Sequence, residues 1–323
     1  SDDAILDEAR KRYQLCIDAF SQNREKAKED LQFLSGEQWP EVSKRQRQAE
    51  GRPCLTINKL PTFLHQITNQ QRQNKPAIKV HPVDDDADIE VAEVIQGLIR
   101  HIEYASDADT ARDTAVNSAA AIGFGYFRIM PRYDAPDSFD QSLCYMRIRN
   151  SLAVKIDPLS VASDGSDMQY CFIESEQSRD EFEREYPDAK ASDPSFYGQS
   201  SHAMLLTKDQ VMVCEYYRIE KTKAQICLLS DGTSGYKDDL KELPFGVTIV
   251  KERESYRQKV MWYKITSTDI LERTEIKCRW IPVYPVYGDE LDIEGRVIRS
   301  GMIRNARDPA QMYNYWMTSA TEE

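Results

Sequence analysis

Three aspartates at alternate positions are the residues whose type and spacing come nearest to a metal site. Asp84, Asp86 and Asp88 have the spacing that opens a calcium-binding loop. Ile89 stands where that loop needs a glycine, and Ile95 stands where it needs a bidentate glutamate. We therefore interpret the aspartates as acidic residues that favour a helix N-terminus.

Two other kinds of catalytic motif are also incomplete. Gly123-Phe124-Gly125 begins like a dinucleotide-binding fingerprint, but position 128 is an arginine and the predicted order is helix then strand. A helix-to-strand turn fits these residues better. The sequence contains no HExxH and no GxSxG pattern. The motifs therefore predict no enzyme and no cofactor.

The composition describes an acidic, folded chain of 323 residues. It is 41% hydrophobic and carries a net charge of −12, with a pI near 5.0. An acidic balance disfavours tight, salt-sensitive binding to DNA or to anionic lipid. No apolar run approaches the ~18 residues of a membrane span, so no membrane partner is predicted. The seven cysteines form no CxxC pair, which favours reduced, buried thiols.

One basic cluster could contact phosphate groups. It comprises Lys44, Arg45, Arg47 and Arg52. In a chain with so large an acidic surplus, we favour a solvated surface for this cluster and keep phosphate contacts as the weaker interpretation.

Helical periodicity dominates the first third of the chain. It predicts a long amphipathic helix over residues 6–34 that stops at Gly36, and further helices over 60–73, from 84–88 onward and over 110–121. The third of these has an apolar stripe of Val91, Val94, Ile95, Leu98 and Ile102. Residues 77–80 alternate as a strand does.

After Gly123 the periodicity changes from 3.6 to 2. Strands are predicted at 127–129, 145–147, 172–174, 211–219, 225–229, 247–250 and 260–265. We take 225–229 as the partner of 211–219, 178–186 as a small helix and 187–198 as a surface loop. Because helices and strands are segregated rather than alternating, the predicted fold class is α+β.

The last helix is predicted to start at Asp308, where Pro309 suits the first helical position and Gln311 can complete a capping box. It ends on Glu322 and Glu323, and acidic residues at a helix C-terminus oppose its dipole. We therefore expect the natural chain to continue. The absence of an initiator Met leads to the same expectation at the other end.

Several stretches together carry a family resemblance. They are 33–40 (FLSGEQWP), 52–60 (RPCLTINKL), 66–73 (QITNQQRQ), 78–84 (IKVHPVD), 104–107 (YASD), 123–126 (GFGY) and 312–316 (MYNYW). In this order they resemble the portal proteins of tailed bacteriophages, specifically the family typified by short-tailed, Salmonella-infecting phages. The resemblance extends over nearly the whole chain.

The resemblance implies a structural subunit that forms a ring, usually a dodecamer, at the capsid vertex of the virion after assembly in the host cytoplasm. Double-stranded DNA would pass through the ring non-specifically. Coat and scaffolding proteins, the terminase large subunit and tail adaptor proteins would be its partners. Residues 1–122 would be a helical part of the wing, 123–303 a β-rich part of the wing, and 304–323 the start of a stem helix.

A helix that faces a pore needs a wet side, and Gln311, Asn314 and Thr318 recur at spacings of three and four. We predict that these three residues face the channel. Two alternative functions stay open. One is a metal-dependent DNA-processing enzyme with Asp84, Asp86 and Glu90 as ligands, and the other is a monomeric adaptor or interaction module.

Overall fold

The computed structural model describes residues 2–75, 77–82, 88–189, 209–240 and 247–322. Its helices are α1 (Asp2–Ser35), α2 (Glu41–Ala49), α3 (Leu60–Gln73), α4 (Ile89–Ala105), α5 (Ala108–Ile122), α6 (Arg179–Glu185) and α7 (Met302–Glu322). Its strands are β1 (Phe124–Tyr133), β2 (Gln141–Arg147), β3 (Val154–Ile156), β4 (Tyr170–Ser178), β5 (Gln210–Leu229), β6 (Ser234–Tyr236), β7 (Ile249–Ile265), β8 (Ile270–Ile276), β9 (Val283–Tyr287), β10 (Asp289–Ile293) and β11 (Arg296–Ser300). The α+β class is confirmed, with a helical first third and a helix at the C-terminal side.

The chain forms two compact units. The sheet unit comprises residues 1–16, 155–160 and 166–281, and the helical unit comprises residues 17–154, 161–165 and 282–323. Helix α1 contributes to both. The units are interleaved along the sequence, whereas the wing and stem boundaries predicted above are sequential, and those assignments stay predictions.

The sheet unit is built on strands in the order β3-β4-β5-β7-β8, with β6 paired to β5. Its core is aromatic. Phe172 of β4 stacks on Tyr216 of β5 with ring centroids 4.6 Å apart, and both side chains are fully buried. Helix α6 covers the sheet by packing Phe182 against Val211 and Val213. Stacked rings and β-branched residues of this kind suit the pleated, half-buried surface of a sheet.

Two strand predictions were wrong, one in the partner it assigned and the other in dividing a continuous strand. Residues 225–229 do not form the partner of 211–219, because both belong to β5, which pairs with β7 from Cys214↔Ile265 to Leu229↔Ile249. Likewise 247–250 and 260–265 are not separate strands, since β7 joins them. The middle of this ribbon is exposed on its faces, so polar residues such as Lys221 and Lys223 occur there without ending the strand.

A buried ion pair lies inside the sheet unit. The Lys155 ammonium contacts a carboxylate oxygen of Glu174, and the exposed fractions of these side chains are 1% and 0%. The Tyr13 hydroxyl donates a hydrogen bond to the same carboxylate. Taking a single charge out of water costs several kcal/mol, so each of these ions depends on the other. Burial also raises the pKa of the nearby Cys214 thiol, which keeps it protonated.

Helix α5 is the centre of the helical unit, and its small side chains let other backbones approach closely. Ala111, Ala115 and Ala119 are buried. A Cβ at Gly125 would overlap the carbonyl oxygen of Ala115, and one at Gly288 would lie 2.6 Å from the carbonyl oxygen of Ala119. The small side chains of α5 therefore pack against one glycine on β1 and another between β9 and β10.

The strands of the helical unit form two small sheets. One has the order β2-β1-β9 and the other is the β10–β11 hairpin. Gly123 ends α5 with φ 96° immediately before β1, so the predicted helix-to-strand turn is confirmed. The two-residue turn of the hairpin has φ 53° at Glu294 and 82° at Gly295, which is the geometry that matches the twist of paired strands.

Two features of the helical unit differ from the sequence analysis. The polar segment after Pro40, to which no element was assigned, forms helix α2, which buries no side chain and so lacks an apolar stripe. Residues 77–80 form no strand, and the Val80 N–H donates to the side chain of Gln96 on α4 (3.2 Å).

Helix α7 begins at Met302 rather than at Asp308, and it contains Pro309. A proline inside a helix removes one backbone hydrogen bond. Ion pairs of Arg304 and Arg307 with α1 hold the preceding turns in place.

Candidate functional site: the seam along the last helix

A polar seam, within the helical unit, joins α7 to the segment that follows α1. Asn314 lies at its centre with an exposed fraction of 1%. Its Oδ1 accepts from the Ile57 N–H (2.9 Å), and its Nδ2 donates to Oε1 of Gln38 (2.6 Å). Gln38 Nε2 donates in turn to Oδ1 of Asn58 (3.0 Å), and Asn58 Nδ2 donates to the Leu34 carbonyl (2.7 Å). The amides therefore form a chain from α7 to the end of α1.

Thr318 extends this seam by one helical turn. Its side chain is fully buried, its Oγ1 accepts from the Leu55 N–H (3.3 Å), and it donates to the Asn314 carbonyl (2.7 Å). Residues 55 and 57 belong to an irregular stretch between α2 and α3. Their N–H groups need partners when water is excluded, and the two α7 side chains supply them.

The first half of α7 is held by charge rather than by amides. Arg304 contacts Asp30 of α1 at 3.0 Å, and Arg307 contacts Glu29 at 2.9 Å. The Asp30 side chain is fully buried, and burial raises the pKa of its carboxyl although Arg304 and Arg307 act to lower it. Arg304 also donates to the Arg299 carbonyl (2.9 Å). The start of α7 is thus fixed to α1 and to β11.

Two arginines compensate the negative charge in the last turn of α7. Glu322 forms ion pairs with Arg47 and, at 2.7 Å, with Arg52. The hydrogen bond from Arg52 lowers the pKa of Glu322, and the charges of both arginines lower it further. The guanidinium groups supply the positive charge that the C-terminal end of a helix favours. The opposing carboxylate is therefore compensated within the chain.

The structure assigns internal partners to most of the predicted basic cluster. Besides the two arginines on Glu322, Arg45 pairs with Glu41 at 3.0 Å. Lys44 lines an open cleft of about 650 Å³ together with Gln311 and other residues of α1, α2 and α7. The prediction that this cluster contacts phosphate stays untested, and the internal ion pairs give three of its members a structural role.

No side-chain group suited to metal binding was found in the described residues. Within them, no three His, Cys, Asp or Glu side chains gather as they would around an ion. Asp84, Asp86 and His202 lie outside the described residues. Asp88 accepts from the Glu90 N–H (2.8 Å) and so caps α4, as predicted. None of the described helices is long and apolar enough to span a bilayer.

Comparison with known proteins supplies the family. The sequence matches the family described as Phage P22-like portal protein over residues 10–323. The chain belongs to this family. The portal protein of Acyrthosiphon pisum secondary endosymbiont phage 1 is 27% identical to it over 325 residues, which cover 93% of this chain and 45% of that protein. This portal-family chain thus spans about half the length of the relative it matches.

The seam of this chain brings together residues from three of the stretches that carry the resemblance. Gln38 and Asn58 belong to two of those stretches, and Asn314 belongs to a third. Periodicity and motifs do not indicate that they meet, because 276 positions separate Gln38 from Asn314. The pairing of Arg304 with Asp30 was missed for the same reason.

Two of the three residues predicted to face the channel, Asn314 and Thr318, are buried within the chain. Both side chains contact the chain's own residues 38–57 and not solvent, while Gln311 is half-buried beside them. The exposed side chains of α7 include Met312 and Trp316. A channel-facing role for Gln311, Asn314 and Thr318 stays a prediction, and for Asn314 and Thr318 it would require the 38–57 segment to leave α7.

Proposed function

We propose that this chain forms the wing and the start of the stem of a portal subunit, and that such subunits assemble into a ring of twelve at the capsid vertex. One observation carries the proposal, namely that the family match extends from residue 10 to residue 323. On this proposal residues 1–122 and 123–303 form the wing, and residues 304–323 begin the stem. The role is structural, and no reaction is proposed.

We further propose that double-stranded DNA passes through the ring during packaging and ejection. The net charge of −12 supports this role, because every neutralised phosphate adds salt-dependent affinity and would slow the passage of DNA. The engagement of Arg45, Arg47 and Arg52 with carboxylates supports it as well. A conduit of this kind guides DNA without holding it.

The proposed partners are further copies of this chain, coat and scaffolding proteins, the terminase large subunit and tail adaptor proteins. The subunit would assemble in the host cytoplasm and remain in the virion. Membership in the portal family supports this set of partners.

Imaging would test the portal role. The protein would be co-expressed with the coat and scaffolding proteins of its phage, and the particles would be labelled with an antibody against this chain. We expect label at a single vertex and rings with a central hole in negative-stain images of the free protein. Label spread over all vertices, or single compact particles at high concentration, would contradict the proposal.

A nuclease assay would separate this function from the enzymatic alternative. We expect no magnesium-dependent cleavage of double-stranded DNA by the purified protein. Cleavage that disappears on Asp86→Ala and persists on Asp231→Ala, an acidic control in the sheet unit, would instead support the DNA-processing enzyme.

A further inference from the structure

The apolar stripe of α4 is largely uncovered. Only Ala92 of this helix is buried, whereas Val94 and Leu98 have exposed fractions of 71% and 56%. Helix α4 contacts α5 and β2, and these contacts leave most of the stripe exposed. A helix with so much apolar surface in water is typical of a protein–protein contact.

The stripe borders a groove in the same unit. The groove has a volume of about 880 Å³ and lies between α4 and the ends of β1 and β2. Its apolar lining includes Leu98, Ile102, Tyr133 and Leu143, and its charged lining includes Arg132. Asp134 also lines it, so the groove is close to neutral at pH 7. It could receive an apolar element with a few polar groups at its rim.

The β10–β11 hairpin offers an element of that kind. Leu291 and Ile293 are more than half exposed, and they share a face with Ile298, which pairs with Leu291 across the strands. Arg296 pairs with Ile293 across the strands, so it lies on this same face, and it is exposed. Two strands without a third are marginally stable in water, and none of the described strands pairs with this hairpin.

The groove and the hairpin are associated with opposite ends of α5. Arg112, in the first half of α5, contacts Glu103 of α4 and the Tyr145 hydroxyl of β2. The last turn of α5 packs against the backbone of Gly301, which directly follows the hairpin. A helix of 15 residues is roughly 22 Å long. One copy therefore presents two separate apolar surfaces.

We propose that the groove beside α4 of one copy receives the β10–β11 hairpin of a neighbouring copy of this chain. The inference rests on the proposed ring, because a head-to-tail ring needs two different surfaces on every subunit that complement each other. Leu291 and Ile293 would cover the stripe and the groove lining, and Arg296, which is on the same face of the hairpin, would lie near Asp134. Repetition of this contact would close the ring.

Disulfide cross-linking between two variants would test the contact. In a background where the half-buried Cys54, Cys144 and Cys278 are changed to serine, one protein would carry Leu98→Cys and another Ile293→Cys. Mixed and oxidised, they should give a covalent heterodimer whose cross-linked peptide joins residues 98 and 293. The matched control pairs Ile293→Cys with Val42→Cys on α2, which has an exposed fraction of 79% and should not cross-link.

The outcomes distinguish this inference from the portal role itself. Rings that form without the 98–293 cross-link would overturn the proposed contact and leave the portal role standing. A protein that shows neither rings nor the cross-link would count against both. Equal cross-linking of the control pair would also overturn the specific contact, since it would indicate random collisions.

A charge exchange provides a second measurement that does not depend on cysteines. Asp134→Arg and Arg296→Asp should each weaken self-association about tenfold in sedimentation equilibrium, because each places like charges together. The double variant should recover most of the loss, since the pair is restored with reversed signs. If the double variant associates no better than the single variants, these residues do not meet and the proposed contact is wrong.

Discussion

At the scale of single residues, Asn314 illustrates how a buried amide can fix the path of a chain. Its carbonyl oxygen and amide nitrogen satisfy the Ile57 N–H and the Gln38 side chain at once. We expect Asn314→Leu to destabilise the protein by about 2–4 kcal/mol, because each unsatisfied buried group costs about 1–3 kcal/mol. Urea denaturation followed by circular dichroism would measure the loss.

The matched control for this substitution is Asn305→Leu. Asn305 lies on the same helix and is exposed, so its replacement should change the free energy of unfolding by less than about 0.5 kcal/mol. Equal effects at the two positions would mean that the seam contributes nothing beyond helix propensity.

The ion pairs of Glu322 predict that the stability of the end of α7 depends on pH. Because Arg52 and Arg47 lower the pKa of its carboxyl, the ion pair stabilises the end of α7 above the usual glutamate pKa of about 4.5. That contribution should be lost as the pH falls through the lowered value. The protection of the last-turn amides of α7 against hydrogen exchange, relative to their intrinsic exchange rate at each pH, should fall in this range. Glu322→Gln should show low protection at every pH, and an unchanged acid response in that variant would contradict the assignment.

The sequence located seam residues without revealing their role. Spacing alone placed Gln311, Asn314 and Thr318 on one side of a helix, and that placement agrees with α7. Polarity suggested solvent on that side, but amides and hydroxyls are equally suited to a buried hydrogen-bonded contact. The backbone N–H groups of Leu55 and Ile57, which Thr318 and Asn314 accept from, decide for the buried contact, and a periodicity analysis of α7 does not include them. The ion pairs with Asp30 likewise could not be predicted from sequence patterns, because they join positions far apart in the chain.

At the scale of elements, the close packing of α5 on glycine backbone predicts opposite effects for two glycine-to-alanine substitutions. Gly125→Ala should destabilise the helical unit by about 1–3 kcal/mol or more, because the added methyl group would overlap the Ala115 carbonyl and α5 would have to shift. Gly97→Ala, on α4, has open space and should stabilise by about 0.5–1 kcal/mol. Thermal unfolding of both variants would measure the contrast, and similar shifts would contradict the packing described.

The elements also show where sequence periodicity is reliable. Helix α3 was predicted with its observed bounds, since an apolar face and a following Pro76 mark it clearly. Helix α2 was not predicted, and the strands β5 and β7 were each divided into two. Most residues of α2 and many in the middle of the β5–β7 ribbon are exposed, and an exposed segment has no need of apolar periodicity. The stripe of α4 was predicted correctly, but its exposure could only be learned from the packing around it.

At the scale of the whole molecule, each unit has its own core. The sheet unit is centred on Phe172, Tyr216 and the buried Lys155–Glu174 pair, whereas the helical unit is centred on the alanine face of α5. Units with separate cores can open separately, with different local free energies. The sequence alone did not predict this division, because segments of each unit are interleaved along the chain.

Hydrogen exchange of two variants would show whether the units open independently. Lys155→Met leaves the Glu174 charge buried and unpaired, which should cost about 3–5 kcal/mol and accelerate exchange in β4, β5 and β7. Exchange in α5 and β1 should stay at the wild-type rate, since none of their contacts changes. Gly125→Ala should give the reverse pattern. If either variant accelerates both sets of amides equally, the chain unfolds as a single cooperative unit. A weakened core in one part would then also loosen any ring contact made by the other.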